Sequence, residues 1–373
     1  MRHLIRRCDL VPQYKKFANE INEAVESVLS SGRYVLAENV IAFEKEFADY
    51  LGMNHAIGVN SGTDALMLSL WALNLNKGDE VITTSFTAIP TYSAICHVGA
   101  TPVLVDIDPD TFLMDLQMVE RAISKKTKAI VVVHLFGNVV DVEELRNVLP
   151  PDVFIIEDCA QAHGASIRGR LAGSLGDIGA FSFYPTKNLG AYGDGGMVVT
   201  DNADWAEIVK LRRTYGMINK DEFVTNGINS RLDEIQAAIL RVKLKYLDGM
   251  NSRRTELAHI YENSLPQEHV KPQEVQAGVQ SVYHVYAALC SERRDELVLH
   301  LSQRDIETNV YYPMPINKQA GYLKTWETTR DFHAAETVGK HIIALPFYPE
   351  IETGALLTVA GEIKRFYADK QCI

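Results

Sequence analysis

One lysine, Lys187, has an unusual place in the sequence. It lies in the segment SFYPTKNLG (residues 182–190), between the apolar run DIGAFSF and the glycine-rich segment AYGDGGMVV. Most lysines are solvated surface residues, so a surface position is the default interpretation. An amine held between two buried strands, beside glycines that allow close approach to the backbone, has a second possible role. It can form a covalent bond with the carbonyl group of a bound compound.

An acidic pair ends another apolar run. The segment FIIEDCAQAHGA (residues 154–165) places Glu157 and Asp158 at a strand end, with Gln161 three positions after Asp158. A carboxylate in such a place is costly to bury without a partner. Two interpretations stay open, since Asp158 either caps the following turn or faces a cationic ring nitrogen. Gln161 is then placed to stack on a ring or to hydrogen-bond at its face.

A third feature is the segment NSGTDAL, which puts Ser61, Gly62 and Thr63 after a strand and at the start of a helix. Free backbone N–H groups and the helix dipole at such a point favour an anion such as phosphate. Taken alone, the segment is better explained as an ordinary N-cap. Ser182, five residues before Lys187, offers a further hydroxyl to a phosphate.

Together, these features match the needs of pyridoxal 5'-phosphate (PLP). That cofactor requires a lysine for its aldehyde, a carboxylate for its ring nitrogen and a cradle for its phosphate. Each feature is weak alone, but their order and their placement at strand ends indicate one site. Ligands of open α/β sheets gather at the carboxyl ends of the strands.

The elements that must position these residues follow from the hydrophobic pattern. Seven short apolar runs between residues 55 and 200 alternate at first with amphipathic stretches, which predicts a mostly parallel sheet of the α/β class. A helix ending at Gly32 precedes them, and one long helix beginning near Ser230 follows. The segments VYHVYAALC and NVYYPMP are predicted strands of a smaller C-terminal part. We expect a large domain over residues 1–245 and a small one over 246–373.

The composition of the chain limits the classes of binding partner that we expect. The formal net charge of −11 argues against broad nucleic-acid binding. The first ten residues contain charge without an apolar signal region, and no run is long enough for a membrane helix, so we expect no membrane association. The five cysteines show no metal-ligand or disulfide spacing, which predicts reduced thiols, no metal site and a cytoplasmic location.

The chain resembles the DegT/DnrJ/EryC1/StrS family of PLP-dependent nucleotide-sugar aminotransferases. The motifs that carry this resemblance are NSGTDAL, GDEVIT, DIDPDTF, VHLFGN, EDCAQAHGA, FSFYPTKNLGAYGDGG, NGINSRLDEIQAAIL, YYPMP and LPFYPEI. They occur in the family's order along nearly the whole chain. The resemblance implies fold-type I, with a seven-stranded, mostly parallel sheet flanked by helices and a smaller C-terminal α/β domain.

The resemblance also implies roles for individual residues. Lys187 would attach PLP covalently and move protons, cycling the cofactor between PLP and pyridoxamine phosphate (PMP). Asp158 would hold the pyridine nitrogen and Gln161 would lie beside the ring hydroxyl. The other cofactor-binding residues would be Gly62, Thr63 and Ser182 at the phosphate and Phe86 on the ring.

A neighbouring subunit is implied as well. The asparagine that matches Asn229 in similar proteins reaches the phosphate of the partner's cofactor, which implies a homodimer with shared active sites. From the sequence alone, the favoured interpretation of Asn229 is a turn residue after Gly227, and the resemblance reverses that preference.

The reaction implied is transfer of an amino group from L-glutamate to a keto-sugar linked to a nucleoside diphosphate. The sequence AQAHGA around His163 is similar to that of sugar 3-aminotransferases, which favours a dTDP-3-keto-6-deoxyhexose and a 3-amino sugar product. A 4-ketosugar or a cyclitol of the scyllo-inosose type is the alternative substrate, and a PLP-binding regulatory protein is the non-enzymatic alternative. Relatives that dehydrate their substrate carry histidine where this chain has Lys187, which favours transamination.

Two positions depart from the family pattern. Many relatives carry histidine where this chain has Asn317 and Tyr348. We expect the sugar to contact His163, Tyr312 and Asn317, so the departure at Asn317 affects which sugar is bound rather than which cofactor.

Overall fold

The computed structural model describes residues 4–326 and 330–368. Cys372, one of the five cysteines of the sequence, lies outside these residues. The helices are α1 (Val11–Ser31), α2 (Glu38–Leu51), α3 (Gly62–Ala72), α4 (Ile89–His97), α5 (Leu116–Ala122), α6 (Val142–Val148), α7 (Ala203–Arg212), α8 (Glu234–Leu244), α9 (Leu247–Ser264), α10 (Arg294–Ser302), α11 (Ala320–Leu323), α12 (His333–His341) and α13 (Thr353–Ala368). The strands are β1 (His55–Val59), β2 (Glu80–Thr84), β3 (Thr101–Val105), β4 (Thr127–Val133), β5 (Phe154–Asp158), β6 (Ser166–Ile167), β7 (Arg170–Leu171), β8 (Ile178–Ser182), β9 (Gly196–Thr200), β10 (Met217–Asn219), β11 (Glu222–Phe223), β12 (Val270–Pro272), β13 (Val279–Gln280), β14 (Tyr286–Cys290) and β15 (Ile342–Leu345).

Seven strands form the main sheet in the order β1-β9-β8-β5-β4-β2-β3. The pairs from β8 to β3 are parallel, whereas β9 pairs antiparallel with both β8 and β1. The predicted mostly parallel sheet of seven strands is therefore confirmed. Each of its strands corresponds to one of the apolar runs.

The sheet is buried on both faces, which explains why its strands lack polar alternation. In β4, Ile130 and Val132 pack into a core with residues of α5 and α6, while Ala129 and Val131 join a second core with α3 and α4. A third core, formed with α2 and α8, includes Phe181 of β8. Parallel strands place their carboxyl ends at one edge, so the segments after β2, β4, β5 and β8 meet there.

The C-terminal part forms its own layer. Strands β12, β14 and β15 make a small antiparallel sheet that shares an apolar core with α9, α10 and α13. The N-terminal segment also reaches this part, because Ile5 bridges to Ile306 and Phe347 donates its N–H to the carbonyl of Arg7. The N-terminal segment therefore packs against the C-terminal part.

Two local predictions are wrong. The long helix after Ser230 is divided into α8 and α9 at Tyr246, whose ring stacks on Phe17 at 4.3 Å and whose hydroxyl bonds to Glu20 of α1. The break between α8 and α9 therefore coincides with the contacts that Tyr246 makes with α1. The segment NVYYPMP is not a strand and makes a single bridge, from Asn309 to Ala344, because its two prolines lack the N–H groups that a ladder needs.

The predicted first helix is confirmed, with Gly32 in the left-handed conformation (φ 67°) at its end. None of the helices within residues 4–326 and 330–368 combines the length and the apolar character that a bilayer-spanning helix needs.

Candidate active site

Lys187 lies on a tight turn that follows β8. Its backbone N–H donates to the carbonyl of Tyr184 at 2.8 Å, and Ala191 donates to Phe183 at 2.8 Å to close the loop. Gly190 has no room for a Cβ, which would overlap the carbonyl of Pro185. The buried ammonium of Lys243 donates to the carbonyl of Gly190 from α8. The turn that presents Lys187 is therefore fixed from both sides.

The environment of Lys187 changes its acid–base behaviour. Removal from solvent lowers the pKa of the ammonium from 10.5 to about 8, and the charge of Asp158 acts in the opposite direction. Near neutral pH, a usable fraction of this amine is neutral. A neutral amine is required both for attack on a carbonyl and for general-base catalysis.

Asp158 is the last residue of β5 and is almost completely buried. Its Oδ2 accepts a 2.8 Å hydrogen bond from the hydroxyl of Thr91, and its Oδ1 accepts one from the N–H of Ala160 at 3.1 Å. Burial raises the pKa of this carboxyl, while these bonds and the charge of Lys187 oppose the rise. A cation placed against it would favour the ionised form further.

The N-terminus of α3 lies against β8. Ser61 caps the helix by accepting a 3.1 Å bond from the N–H of Asp64. A Cβ on Gly62 would lie 2.5 Å from the Cβ of Ser182, so only glycine allows this close approach. The first turn of α3 and the hydroxyl of Ser182 therefore line the same space, which suits a phosphate.

Most of the residues predicted to bind the cofactor line one cavity of about 260 Å³. Its lining comprises Ser61, Gly62, Thr63, Leu66, Thr87, Ala88, Pro90, Thr91, Val133, Asp158, Ala160, Gln161, Ser182, Tyr184, Lys187 and Asp194. Six of the eight residues predicted to bind the cofactor are in this set.

Phe86 and Tyr312 lie next to the cavity rather than in its lining. Phe86 is fully buried and meets Tyr312 edge-to-face at 5.8 Å, so Thr87 and Ala88 form the wall there. Gln161 connects this group to the cavity, because its Nε2 donates to the Tyr312 hydroxyl at 3.2 Å and its Oε1 accepts from the N–H of Phe136 at 2.7 Å. The packing of Phe86 on a ring stays a prediction.

The remaining predicted residues lie elsewhere. His163 is buried between Phe181 and Phe183, and burial lowers its pKa to about 3, so its imidazole is neutral. Asn317 is buried and donates to Glu336 at 3.1 Å. His163 and Asn317 are absent from the cavity lining, and their contacts with a sugar stay predictions. Asn229 is exposed outside this cavity, with a backbone bridge to Thr214.

Sequence reasoning missed Thr91 and Thr87. These side chains are four residues apart across the start of α4, with their hydroxyl oxygens 3.4 Å apart, and Thr91 orients Asp158. No spacing in the sequence marks these contacts, because Thr87 precedes α4 and the bond from Thr91 depends on how α4 packs against β5.

Glu157 has a different role from its neighbour, since adjacent strand residues point to opposite faces. It accepts bonds from the N–H groups of Gly173, Leu175 and Gly176 and a 2.8 Å bond from His134 Nε2. The other nitrogen of His134 accepts from Val140 N–H. The ligand atoms of His134, Glu157 and Cys159 lie within 4.8 Å of one another, but these hydrogen bonds occupy the first two residues. The cluster is a structural network that connects the end of β5 to the segment after β4 and to residues 173–176.

The cavity fits PLP by its donor chemistry. An amine with a lowered pKa, a buried carboxylate with a fixed orientation and a helix N-terminus that lacks a Cβ at Gly62 all face one space. These are the groups needed for an aldehyde, a ring nitrogen and a phosphate on one molecule.

Comparison with known proteins gives the same result. Residues 15–364 match the model of the DegT/DnrJ/EryC1/StrS aminotransferase family. A curated relative from Streptomyces venezuelae, dTDP-3-amino-3,4,6-trideoxy-alpha-D-glucose transaminase, is 41% identical over 96% of this chain and 95% of its own length.

Solved structures are similar over the same extent. The S. venezuelae protein DesV, crystallised in complex with a ketimine intermediate, has a TM-score of 0.94 and 40% identity, covering 97% of this chain and 98% of its own. NtdA from Bacillus subtilis, solved with bound cofactor PMP, has a TM-score of 0.86 and 30% identity, covering 94% of this chain and 82% of its own.

Proposed function

Because this chain belongs to the DegT/DnrJ/EryC1/StrS aminotransferase family, we propose that it transfers an amino group from L-glutamate to a keto-sugar linked to a nucleoside diphosphate. The cofactor is pyridoxal 5'-phosphate. The observation that carries the proposal is that Lys187 and Asp158 line one cavity with the N-terminus of α3. The substrate we favour is a dTDP-3-keto-6-deoxyhexose, which becomes a 3-amino sugar, because the relative from S. venezuelae is named for such a product.

PLP, when bound, withdraws electrons from the substrate carbon that carries the amino group. Lys187 Nζ takes the proton from that carbon, since its lowered pKa leaves it neutral in part near pH 7. The same nitrogen returns the proton when the amino group moves on, so one residue serves as base and as acid. The fixed turn around Lys187 keeps this nitrogen over the cavity.

The other residues of the site would bind and orient the cofactor. Asp158, held by Thr91, would keep the ring nitrogen protonated. Gly62, Thr63 and Ser182 would hold the phosphate, and Gln161 would lie beside the ring hydroxyl. Tyr312, which accepts a hydrogen bond from Gln161, and the nearby Phe86 would close the ring face on the side of the C-terminal part.

A second copy of this chain would complete the site. Asn229 is exposed and outside its own cavity, which is the placement a residue that serves a partner needs. The neighbouring hairpin of β10 and β11 exposes Ile218, Phe223 and Val224, an apolar surface that a partner subunit would cover. We include the homodimer with shared sites in the proposal, together with a cytoplasmic location for a chain whose four described cysteines are free.

A direct test uses the two halves of the reaction. Purified protein loaded with PLP is mixed with L-glutamate alone, and the aldehyde absorbance should fall as 2-oxoglutarate is formed. The aminated protein is then given a panel of ketosugar nucleotides (3-keto and 4-keto, with dTDP or UDP) and a cyclitol ketone. Amination of a 3-keto-6-deoxyhexose attached to dTDP is the expected result. Preference for the 4-keto series or the cyclitol would overturn the assigned substrate. Absence of both half-reactions would overturn the proposed activity.

A further inference from the structure

A second, smaller cavity is lined in part by the turn that carries Lys187. Its volume is about 40 Å³, roughly three times what one water molecule requires. Residues from six parts of the chain line it, among them Arg7, Cys8, Thr186, Arg254, Tyr311 and Phe347. Thr186 is adjacent in sequence to Lys187, so this cavity and the cofactor cavity share one turn.

Among the residues that the structure describes, the buried cation Arg254 forms no ion pair. Only 5% of the residue is exposed, and its guanidinium packs over the ring of Phe347 at 5.7 Å. Its Nη1 donates to the carbonyls of Tyr283 and His284 at 3.1 and 3.4 Å, but its Nε has no acceptor among residues 4–326 and 330–368. Burial lowers the pKa of this group to about 10, although the charge of Glu350 opposes the change.

Arg7 adds a second guanidinium to the same cavity. It donates to the hydroxyl of Tyr311 and forms no ion pair within the described part of the chain. The cavity lining of these residues contains no Asp or Glu. A buried charge is expensive unless an opposite charge or several hydrogen bonds compensate it. The two carbonyl bonds of Arg254 compensate its buried charge only in part, and the half-buried Arg7 adds a second positive charge beside it, so this small space favours an anion.

We propose that this cavity binds a carboxylate of the amino donor. The inference rests on the proposed function, which supplies an amino acid that must reach Lys187 with a carboxylate close to the reacting amine. The volume admits a carboxylate and excludes a nucleotide or a sugar ring, and the fork of donors on an arginine matches a carboxylate. Leu345 and Phe347, from the C-terminal part, enclose the space.

A small inorganic anion would bind through the same positive charges, so the experiment must distinguish such an anion from the carboxylate of the amino donor. The variant is Arg7→Gln, which removes one charge while Arg254 keeps its bonds to the backbone. Arg6→Gln is the matched control, because Arg6 is exposed, adjacent in sequence and outside the lining. Arg7→Lys tests rescue, since it retains the charge without the planar fork.

The first measurement is the half-reaction of the PLP-loaded protein with L-glutamate, followed by absorbance. Arg7→Gln should raise the KM for glutamate about tenfold or more, with kcat changed far less, because a charge-assisted hydrogen bond is lost. Arg7→Lys should recover part of the loss, and Arg6→Gln should match the unmodified protein. An unchanged KM in Arg7→Gln, or an equal rise in Arg6→Gln, would overturn the proposal.

The second measurement requires no turnover. Glutarate should raise the melting temperature of the PLP-loaded protein more than its neutral diamide does, and Arg7→Gln should abolish the difference. Crystals soaked in bromide should give an anomalous peak between Arg7 and Arg254, which glutarate displaces. A bromide peak with no response to glutarate and no change in the KM for glutamate would mean an inorganic anion only and would reject the donor.

Both measurements remain informative if the sugar has been misidentified. Neither uses a sugar nucleotide, so failure of every ketosugar in the panel leaves the donor subsite testable. Conversely, a normal donor half-reaction with an unchanged KM in Arg7→Gln would reject the subsite and leave the transaminase activity intact.

Discussion

The hydroxyl of Thr91 donates a 2.8 Å hydrogen bond to Oδ2 of Asp158, and this bond joins α4 to the end of β5. Thr91 is 1% exposed, so water does not compete for its hydroxyl. With Oδ1 bound by the N–H of Ala160, the carboxylate has one orientation. A ring nitrogen that enters the cavity therefore meets an acceptor already in place, without reorganisation during the reaction.

Replacing Thr91 tests this arrangement. Thr91→Val keeps the shape of the side chain and removes the donor, so we expect kcat to fall about tenfold, equivalent to ~1.4 kcal/mol, because Asp158 is less well oriented. Thr91→Ser should restore most of the rate. The check is the single-turnover rate with glutamate. A valine variant with the unmodified rate would show that Ala160 alone fixes the carboxylate.

Replacing Asp158 should lower kcat far more than replacing Thr91. Asp158→Asn retains the size of the side chain but removes the negative charge that, in our proposal, would keep the ring nitrogen protonated, so we expect a loss of about a thousandfold or more in kcat, ~4 kcal/mol. Asp152→Asn is the control, because Asp152 is exposed and only pairs with Lys128 at 3.5 Å. Steady-state rates with matched melting temperatures give the comparison. A modest loss would indicate that another group holds the nitrogen.

Much of this site follows from the sequence because strand ends are visible in it. The apolar runs before Asp158 and Ser182 locate β5 and β8, and parallel pairing then brings those residues to one edge. The bond from Thr91 was not predictable, since it depends on the position of α4 relative to β5. The break between α8 and α9 was missed for a similar reason, because periodicity continues through Tyr246 while its contacts with Phe17 belong to the tertiary structure.

The pKa of Lys187 predicts a pH dependence. Protein freed of cofactor should capture PLP at a rate that rises with pH up to about 8 and then levels off, because the neutral amine is the reactive form. A solvated lysine would continue to gain up to about pH 10.5. Since the charge of Asp158 raises the pKa of Lys187, Asp158→Asn should shift the midpoint to lower pH. Stopped-flow absorbance measures the capture.

Borohydride reduction identifies the amine in the same samples. The label should appear on the peptide that contains Lys187 and should be absent from Lys187→Ala. Labelling of Lys243, a buried lysine whose pKa is also lowered to about 8, would contradict the assignment.

The contact between Gly62 and Ser182 predicts a selective loss of affinity. Gly62→Ala places a Cβ 2.5 Å from the Cβ of Ser182, so the first turn of α3 must move away from β8. We expect the Kd for PLP to rise about tenfold or more, as for loss of one or two hydrogen bonds to a charged phosphate. Gly249→Ala is the matched control, because a Cβ there has nothing within 4 Å. Equal affinity in both variants would place the phosphate elsewhere.

The shared active site is tested by mixing two inactive or weakened subunits. Asn229 is exposed in its own chain, and if it serves the partner's cavity, Asn229→Ala should weaken PLP retention. Lys187→Ala and Asn229→Ala proteins are combined under conditions that allow subunit exchange, and activity is followed with time. In a mixed dimer with sharing across the interface, one cavity carries both changes and the other carries neither. Activity should then rise above that of either parent towards one intact site per mixed dimer. If Asn229 acted within its own chain, each cavity of the mixed dimer would carry one change, and a flat time course despite confirmed exchange would reject the shared site.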